Sequence, residues 1–299
     1  MADSKVHINI ALNRYPGTEA LLSGAVTSET VQFDIDEIKP IFRAFKPMAK
    51  DQAYDASEMA IFTYLQARAY GKPLVLLPVI LAARFQHPCL VYNKKNYDEV
   101  TPETLPGMKV GVRAYSQTTG AWVRNILARE HNVPLEEVNW ITFEDGHLEE
   151  YQEPAYVTRG PDGSDLQKMF DNGEVAAAIF GNDLGDDPDI QAVIPDAKNA
   201  GRRAYEKTGL IPINHMLCVT KAFLDAEPEA VRELYRMCRD SKAAATVDPD
   251  QPDLRPIGFD AIQESLEEVI HLAHHQEFIP EKYSVDDLFA GARQVLGDG

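Results

Sequence analysis

Residues 54–81 read YDASEMAIFTYLQARAYGKPLVLLPVIL, and three periodicities follow one another in them. YDASEM (54–59) has the look of a short strand running into a loop. AIFTYLQARAYG (60–71) has the spacing of an amphipathic helix and stops at Gly71, a normal C-terminal signal. PLVLLPVIL (73–81) is an apolar run with the length and composition of a buried strand. Strand, helix and strand in succession predict a parallel sheet with helices on its faces.

The same alternation extends outward. VHINIAL (6–12) is a strand, followed by the turn Tyr15-Pro16-Gly17-Thr18 and a short helix, TEALLSG (18–24). VQFDI (31–35) is a strand, and DEIKPIFRAF (36–45) has helical spacing through Ile38, Ile41, Phe42 and Phe45. CLVYN (89–93) adds a strand. The pattern then restarts with KVGV (109–112), a helix in TGAWVRNILAREHNV (119–133), VNWITF (138–143), a helix from Ser164 as N-cap, and VAAAIFG (175–181). The stretch 144–163 is polar and reads as a surface excursion. HMLCVTKAF (215–223) is a further strand, and three helices close the chain. Two α/β units predict two lobes with a ligand cleft between them: residues 1–92 with 216–299, and residues 93–215. In such sheets ligands sit beyond the carboxyl ends of the strands, so loops 13–18, 57–64, 82–88, 113–120, 144–160 and 181–187 are the places to search.

Composition narrows the partners. With 29 basic and 47 acidic residues among 299, the net charge is 29 − 47 = −18. That balance disfavours nucleic acid or an anionic membrane as partner, while leaving room for a local basic pocket. No apolar run is long enough for a membrane span, and MADSKVHINIAL is not a signal peptide. Cys89, Cys218 and Cys238 suit neither zinc nor CxxC chemistry. The expectation is a cytoplasmic protein without disulfides. The oligomeric state stays open, a homo-oligomer included.

GxGxxG after a strand, GxxxxGK[ST], GxSxG and HExxH are all missing. His271 and His275 stand at i, i+4 and could share a metal, but a solvated helix face explains them more simply. GNDLGDDPD (181–189) lacks the ligand spacing of a calcium loop. No metal and no cofactor are expected. The chemistry-bearing residues gather instead at strand edges. Ser57 and Glu58 end one apolar strand, and Arg84 and His87 follow another. Arg113, Tyr115, Ser116 and Thr118 follow KVGV, while Asn214 and His215 sit where PINH meets MLCVT. Arginines, histidines, one acid and hydroxyls would suit a small anionic ring compound.

The chain resembles the 4,5-dihydroxyphthalate decarboxylase family. The resemblance is carried by YDASEMAIFTYLQARAYG (54–71), LPVILAARFQHPCLVYN (77–93), MKVGVRAYSQTTGAWVRNIL (108–127), VNWITF (138–143), YEKTGLIPINHMLCVTKAF (205–223), SKAAA (241–245) and RPIGFDAIQESLEEVIHLAHHQ (255–276). It implies the two-lobed fold of type II periplasmic binding proteins and a non-oxidative, cofactor-free decarboxylation of a hydroxylated aromatic acid. In that reaction His87 or His215 would supply the proton. Glu58 would favour the phenolate, and Arg84 and Arg113 would clamp carboxylate, with Arg124 in reserve. The alternative is a solute-binding protein for an aromatic carboxylate. Two stretches depart from the family pattern: Gly181-Asn182-Asp183 stands for Gly-Pro-Arg, and Ala114-Tyr115-Ser116 for a Glu-Tyr pair.

Overall fold

The structure is a computed structural model, and it describes residues 5–181, 187–246 and 248–297. Asn182 and Asp183, and most of the acidic turn 181–189, lie outside the described residues. The chain divides into two units. The first runs through Arg84, then from Ile213 to His274 and again from Ile279 onward; the second holds Phe85–Pro212 and His275–Phe278.

In the first unit, β1 (Val6–Ala11) leads through α1 (Glu19–Leu22) to β2 (Val31–Ile35). The helix expected over 36–45 starts later. Pro40 is extended, a 3-10 turn covers Ile41–Ala44, and α2 spans Phe45–Asp51. A proline forces its predecessor out of the helical region, which accounts for the delay. Next come β3 (Ala56–Ala60), α3 (Ile61–Ala69) and β4 (Leu74–Ala83). Helix α3 is not half-exposed as its pattern suggests, since Ile61 to Ala67 are all buried. Even the Tyr64 hydroxyl is used inside, accepting the Leu76 N–H at 3.2 Å.

The second unit begins with β5 (Leu90–Asn93), β6 (Lys109–Val112), α4 (Thr118–His131) and β7 (Asn139–Thr142). A short strand, β8 (Val157–Arg159), lies inside the polar stretch expected to be an excursion, and it pairs in parallel with β7. Helix α5 (Leu166–Asp171) takes Asp165, not Ser164, as its N-cap: the Asp165 carboxylate accepts the Lys168 N–H at 2.8 Å. Ser164 Oγ donates to the Pro161 carbonyl instead. Strands β9 (Ala177–Ile179) and β10 (Ile190–Ala192) and helix α6 (Ala197–Thr208) complete the unit. The chain re-enters the first unit as β11 (Ile213–Thr220) and ends with α7 (Lys221–Ala226), α8 (Pro228–Ala243), α9 (Phe259–His275) and α10 (Val285–Leu296).

Each unit has its own sheet. The first is ordered β2-β1-β3-β11-β4 and the second β10-β5-β9-β6-β7-β8. Neither is wholly parallel. Strand β11 runs antiparallel between β3 and β4, and β5 runs antiparallel between β9 and β10. Strand β5 therefore belongs to the second sheet, although its sequence continues the alternation of the first. Periodicity reports a buried strand but not the sheet that receives it. Among the described residues no helix is long and apolar enough to cross a membrane.

Candidate active site

Strand β3 ends in Ser57-Glu58-Met59-Ala60, and Glu58 is wholly buried. A buried carboxylate needs donors, and three residues of the first unit supply them. Tyr15 Oη donates to Oε1 at 2.6 Å, the Asn13 N–H donates to Oε2 at 3.0 Å, and His215 Nδ1 lies 2.6 Å from Oε1. The pairing register explains the histidine. Glu58 faces Leu217 across the β3–β11 ladder, so His215 is its diagonal neighbour on the same side. Phe45 packs edge-on to the imidazole, ring centres 5.0 Å apart. The phenylalanine is itself held in a small apolar cluster with Ala11, Ile41, Ala44 and Ala60.

The loop after β1 brings in the tyrosine. Thr18 Oγ1 accepts the Tyr15 N–H at 2.9 Å and donates to the Asn13 carbonyl at 2.8 Å, which closes the turn. Burial, and then the charge of Glu58, raise the Tyr15 pKa well above its ordinary value, so it remains a phenol and a donor. Because the carboxylate only accepts, Nδ1 of His215 carries the hydrogen. Nε2 is left as the nitrogen that can exchange a proton. His215 is 21% exposed at its side chain while Glu58 is 0%.

The remaining expected residues are placed as follows. Ser57 Oγ donates to the Glu58 carbonyl at 2.8 Å. Asn214 is buried on β11, and Arg84 follows the end of β4. Cys218, whose thiol donates to the Ser57 carbonyl at 3.4 Å, is buried, and burial pushes that thiol up to about 12, so it is no thiolate nucleophile near neutrality. In the second unit, His87 is buried and its Nε2 lies 3.2 Å from both oxygens of Glu130. Arg113 pairs with Glu144, Nε to Oε2 at 3.4 Å. Tyr115, Ser116, Thr118 and Arg124 are buried around the first turns of α4. Tyr115 Oη and Tyr156 Oη are 2.7 Å apart. The guanidinium of Arg124 stacks over the Tyr115 ring at 3.8 Å and lies 5.3 Å from the ring of Trp140, whose indole N–H donates to Leu135.

Among the described residues no three His, Cys, Asp or Glu side chains are gathered for a metal, and His271 Nδ1 accepts from Lys282 Nζ at 3.3 Å. Sequence reasoning misses Tyr15 and Asn13. Their signal is the Tyr-Pro-Gly-Thr turn directly after a strand, a place where a ligand loop is expected. It also misses Tyr151 and Tyr156, which come from an irregular stretch without periodicity, and Gln276, which directly follows α9 and bonds Arg124 and the Ala121 carbonyl.

No family model matches the chain. It is 28% identical over 258 residues to the 4,5-dihydroxyphthalate decarboxylase of Comamonas testosteroni, spanning 81% of this chain and 76% of that one. Among solved structures it is similar to the alkanesulfonate-binding protein SsuA from Xanthomonas axonopodis pv. citri. There the TM-score is 0.55 and the identity 12%, over 95% of this chain and 98% of that one. It is also similar to the desulfurization enzyme DSZB, with a TM-score of 0.52 and 14% identity over 97% and 99% of the two chains. The fold is thus that of the periplasmic binding proteins. A binding protein and an enzyme share it, so the fold alone leaves the activity open.

Proposed function

We propose that the protein is a cofactor-free decarboxylase acting on a hydroxylated aromatic carboxylic acid such as 4,5-dihydroxyphthalate. The observation that carries this reading is the buried Glu58 carboxylate holding His215 Nδ1 at 2.6 Å, with Tyr15 on the same oxygen. The distant likeness to a decarboxylase supports it.

The reaction needs a proton delivered to the ring carbon that bears the carboxylate. His215, as imidazolium, gives its Nε2 proton to that carbon, and a hydroxyl para to it supplies the electron density. The ring is then briefly non-aromatic. The bond to the carboxylate breaks, its electron pair returns to the ring, and carbon dioxide leaves. One proton is consumed per turnover, and solvent restores it to His215. Glu58 acts through the histidine: its oxygens are engaged by Tyr15, His215 and Asn13, so it fixes the tautomer and stabilises the imidazolium. A positioned acid of this kind contributes about 10²- to 10⁴-fold in rate.

The test is carbon dioxide release from 4,5-dihydroxyphthalate and a panel of hydroxylated aromatic acids, with thermal stabilisation followed in parallel. Turnover that His215→Ala abolishes is expected. Stabilisation without turnover would replace the enzyme with a solute-binding protein for an aromatic carboxylate.

A further inference from the structure

One further cation of the first unit acts on the Glu58, Tyr15 and His215 cluster. The chain ahead of α9 returns along the outer edge of β4. The Gly258 N–H donates to the Pro78 carbonyl at 2.9 Å, the Ile80 N–H donates to the Pro256 carbonyl at 3.4 Å, and Val79 bridges Ile257 antiparallel. Arg255 comes next, level with Leu81 at the carboxyl end of the strand. One place further on, Ala82 is the partner of His215 on the opposite edge of β4. Arg255 and His215 thus flank the same end of one strand, their backbones two strand spacings, or about 10 Å, apart. That end is where sheets of this kind take ligands.

Arg255 is fixed by its backbone and not by its charge. Its N–H donates to Asp253 Oδ1 at 2.9 Å and its carbonyl accepts from Lys242 Nζ at 2.6 Å, while Lys242 Nζ also binds Asp253 Oδ2 at 2.5 Å. The aspartate is thereby committed to the lysine and attracts Arg255 only from beyond ion-pair distance. Among the described residues the guanidinium takes no hydrogen bond and no ion pair. Arg255 is half-buried, so it keeps accessible surface. Its charge is felt at the Tyr15 hydroxyl: burial and Glu58 raise that phenol, and Arg255 works against them. A guanidinium held in this way, partly out of water and uncommitted, is ready to grip a carboxylate in a bidentate fork.

We propose that Arg255 is the anion-binding residue of the first-unit site and holds the carboxylate that an aromatic diacid retains through the reaction. The carboxylate that departs is better left without a cation, since a grip made only on the reactant slows the step. That the anion is an aromatic carboxylate rests on the function proposed above; that the site takes an anion rests on Arg255 and its place beside Tyr15 and His215.

The full-length protein is titrated by calorimetry, at physiological ionic strength, with phthalate and with its neutral diamide. Phthalate lacks the ring hydroxyls that drive decarboxylation, so binding is read without turnover. Phthalate should bind. Arg255→Met should weaken it by about tenfold or more and leave the diamide within about twofold, a loss larger than a screened surface charge gives. Arg255→Lys, which keeps the charge but not the fork, should weaken phthalate severalfold, and it decides the matter if Arg255→Met does not fold. Unchanged phthalate affinity in these variants, an equal loss for the diamide, or no phthalate binding by the wild type would overturn the proposal. Carbon dioxide release tests the decarboxylase separately: a protein that turns over no hydroxylated acid yet binds phthalate through Arg255 is a binding protein, and Arg255 keeps its role in it.

Discussion

Glu58 and His215 meet because their strands run in opposite directions. Glu58 is paired with Leu217, and the residue two places before Leu217 falls diagonally on the same face of the sheet. The 2.6 Å contact is thus fixed by backbone register more than by side-chain reach. Glu58→Gln tests what the contact does. Glutamine can present an N–H to Nδ1 and favour the wrong tautomer. The expected outcome is a fall in kcat for carbon dioxide release of about 10²- to 10⁴-fold with KM within a few-fold. Steady-state kinetics showing near-wild-type kcat would remove the histidine from the mechanism.

Tyr15→Phe takes one of the donors from Glu58 Oε1. With that donor lost, the carboxylate that orients His215 Nδ1 is held less firmly. The kcat for carbon dioxide release should therefore fall severalfold with KM little changed, and stability should fall by about 1 kcal/mol. Kinetics and a melting midpoint equal to those of the wild type would contradict the coupling.

Gly201, on α6, touches the turn that carries His87. A Cβ added there would lie 2.4 Å from Phe85 Cβ and 3.0 Å from His87 Nδ1. Neither neighbour is the far end of a flexible chain, so Gly201→Ala should cost about 1–3 kcal/mol through overpacking. Urea unfolding would measure it, and an unchanged midpoint would show that α6 shifts freely.

On α8, Arg236 binds Glu233 through Nη2–Oε1 at 2.6 Å and Nε–Oε2 at 2.8 Å. This hydrogen bonding holds the Glu233 carboxyl at about 2, below its ordinary 4.5. A depressed carboxyl stabilises the fold fully above its unfolded value, and the contribution is lost as pH falls through the folded one. Glu233→Gln should therefore be less stable than wild type near neutrality, with the gap closing between about pH 4.5 and pH 2. Thermal melts across that range check it; a gap independent of pH would exclude the linkage.

Much of this was legible in the residues. Glu58 and His215 stood out because each ends or begins an apolar strand, where a polar side chain has few structural reasons to be. Tyr15 did not, since a tyrosine in a turn has many uses and only the fold brings it to Glu58. Arg124 could be placed on a helix but not given a side of it. Its acceptors, Gln276 Oε1 just beyond α9 and the Tyr115 carbonyl, are brought to it only by the fold. Direction was illegible for the same kind of reason: β5 and β11 are buried along both faces, and such strands look alike whichever way they run.

Trp122 on α4 and Trp140 on β7 are the only two tryptophans in the sequence, and both belong to the second unit. Indole fluorescence consequently arises from that unit. With the Arg124 guanidinium 5.3 Å from the Trp140 ring, that emission is sensitive to any change at the arginine.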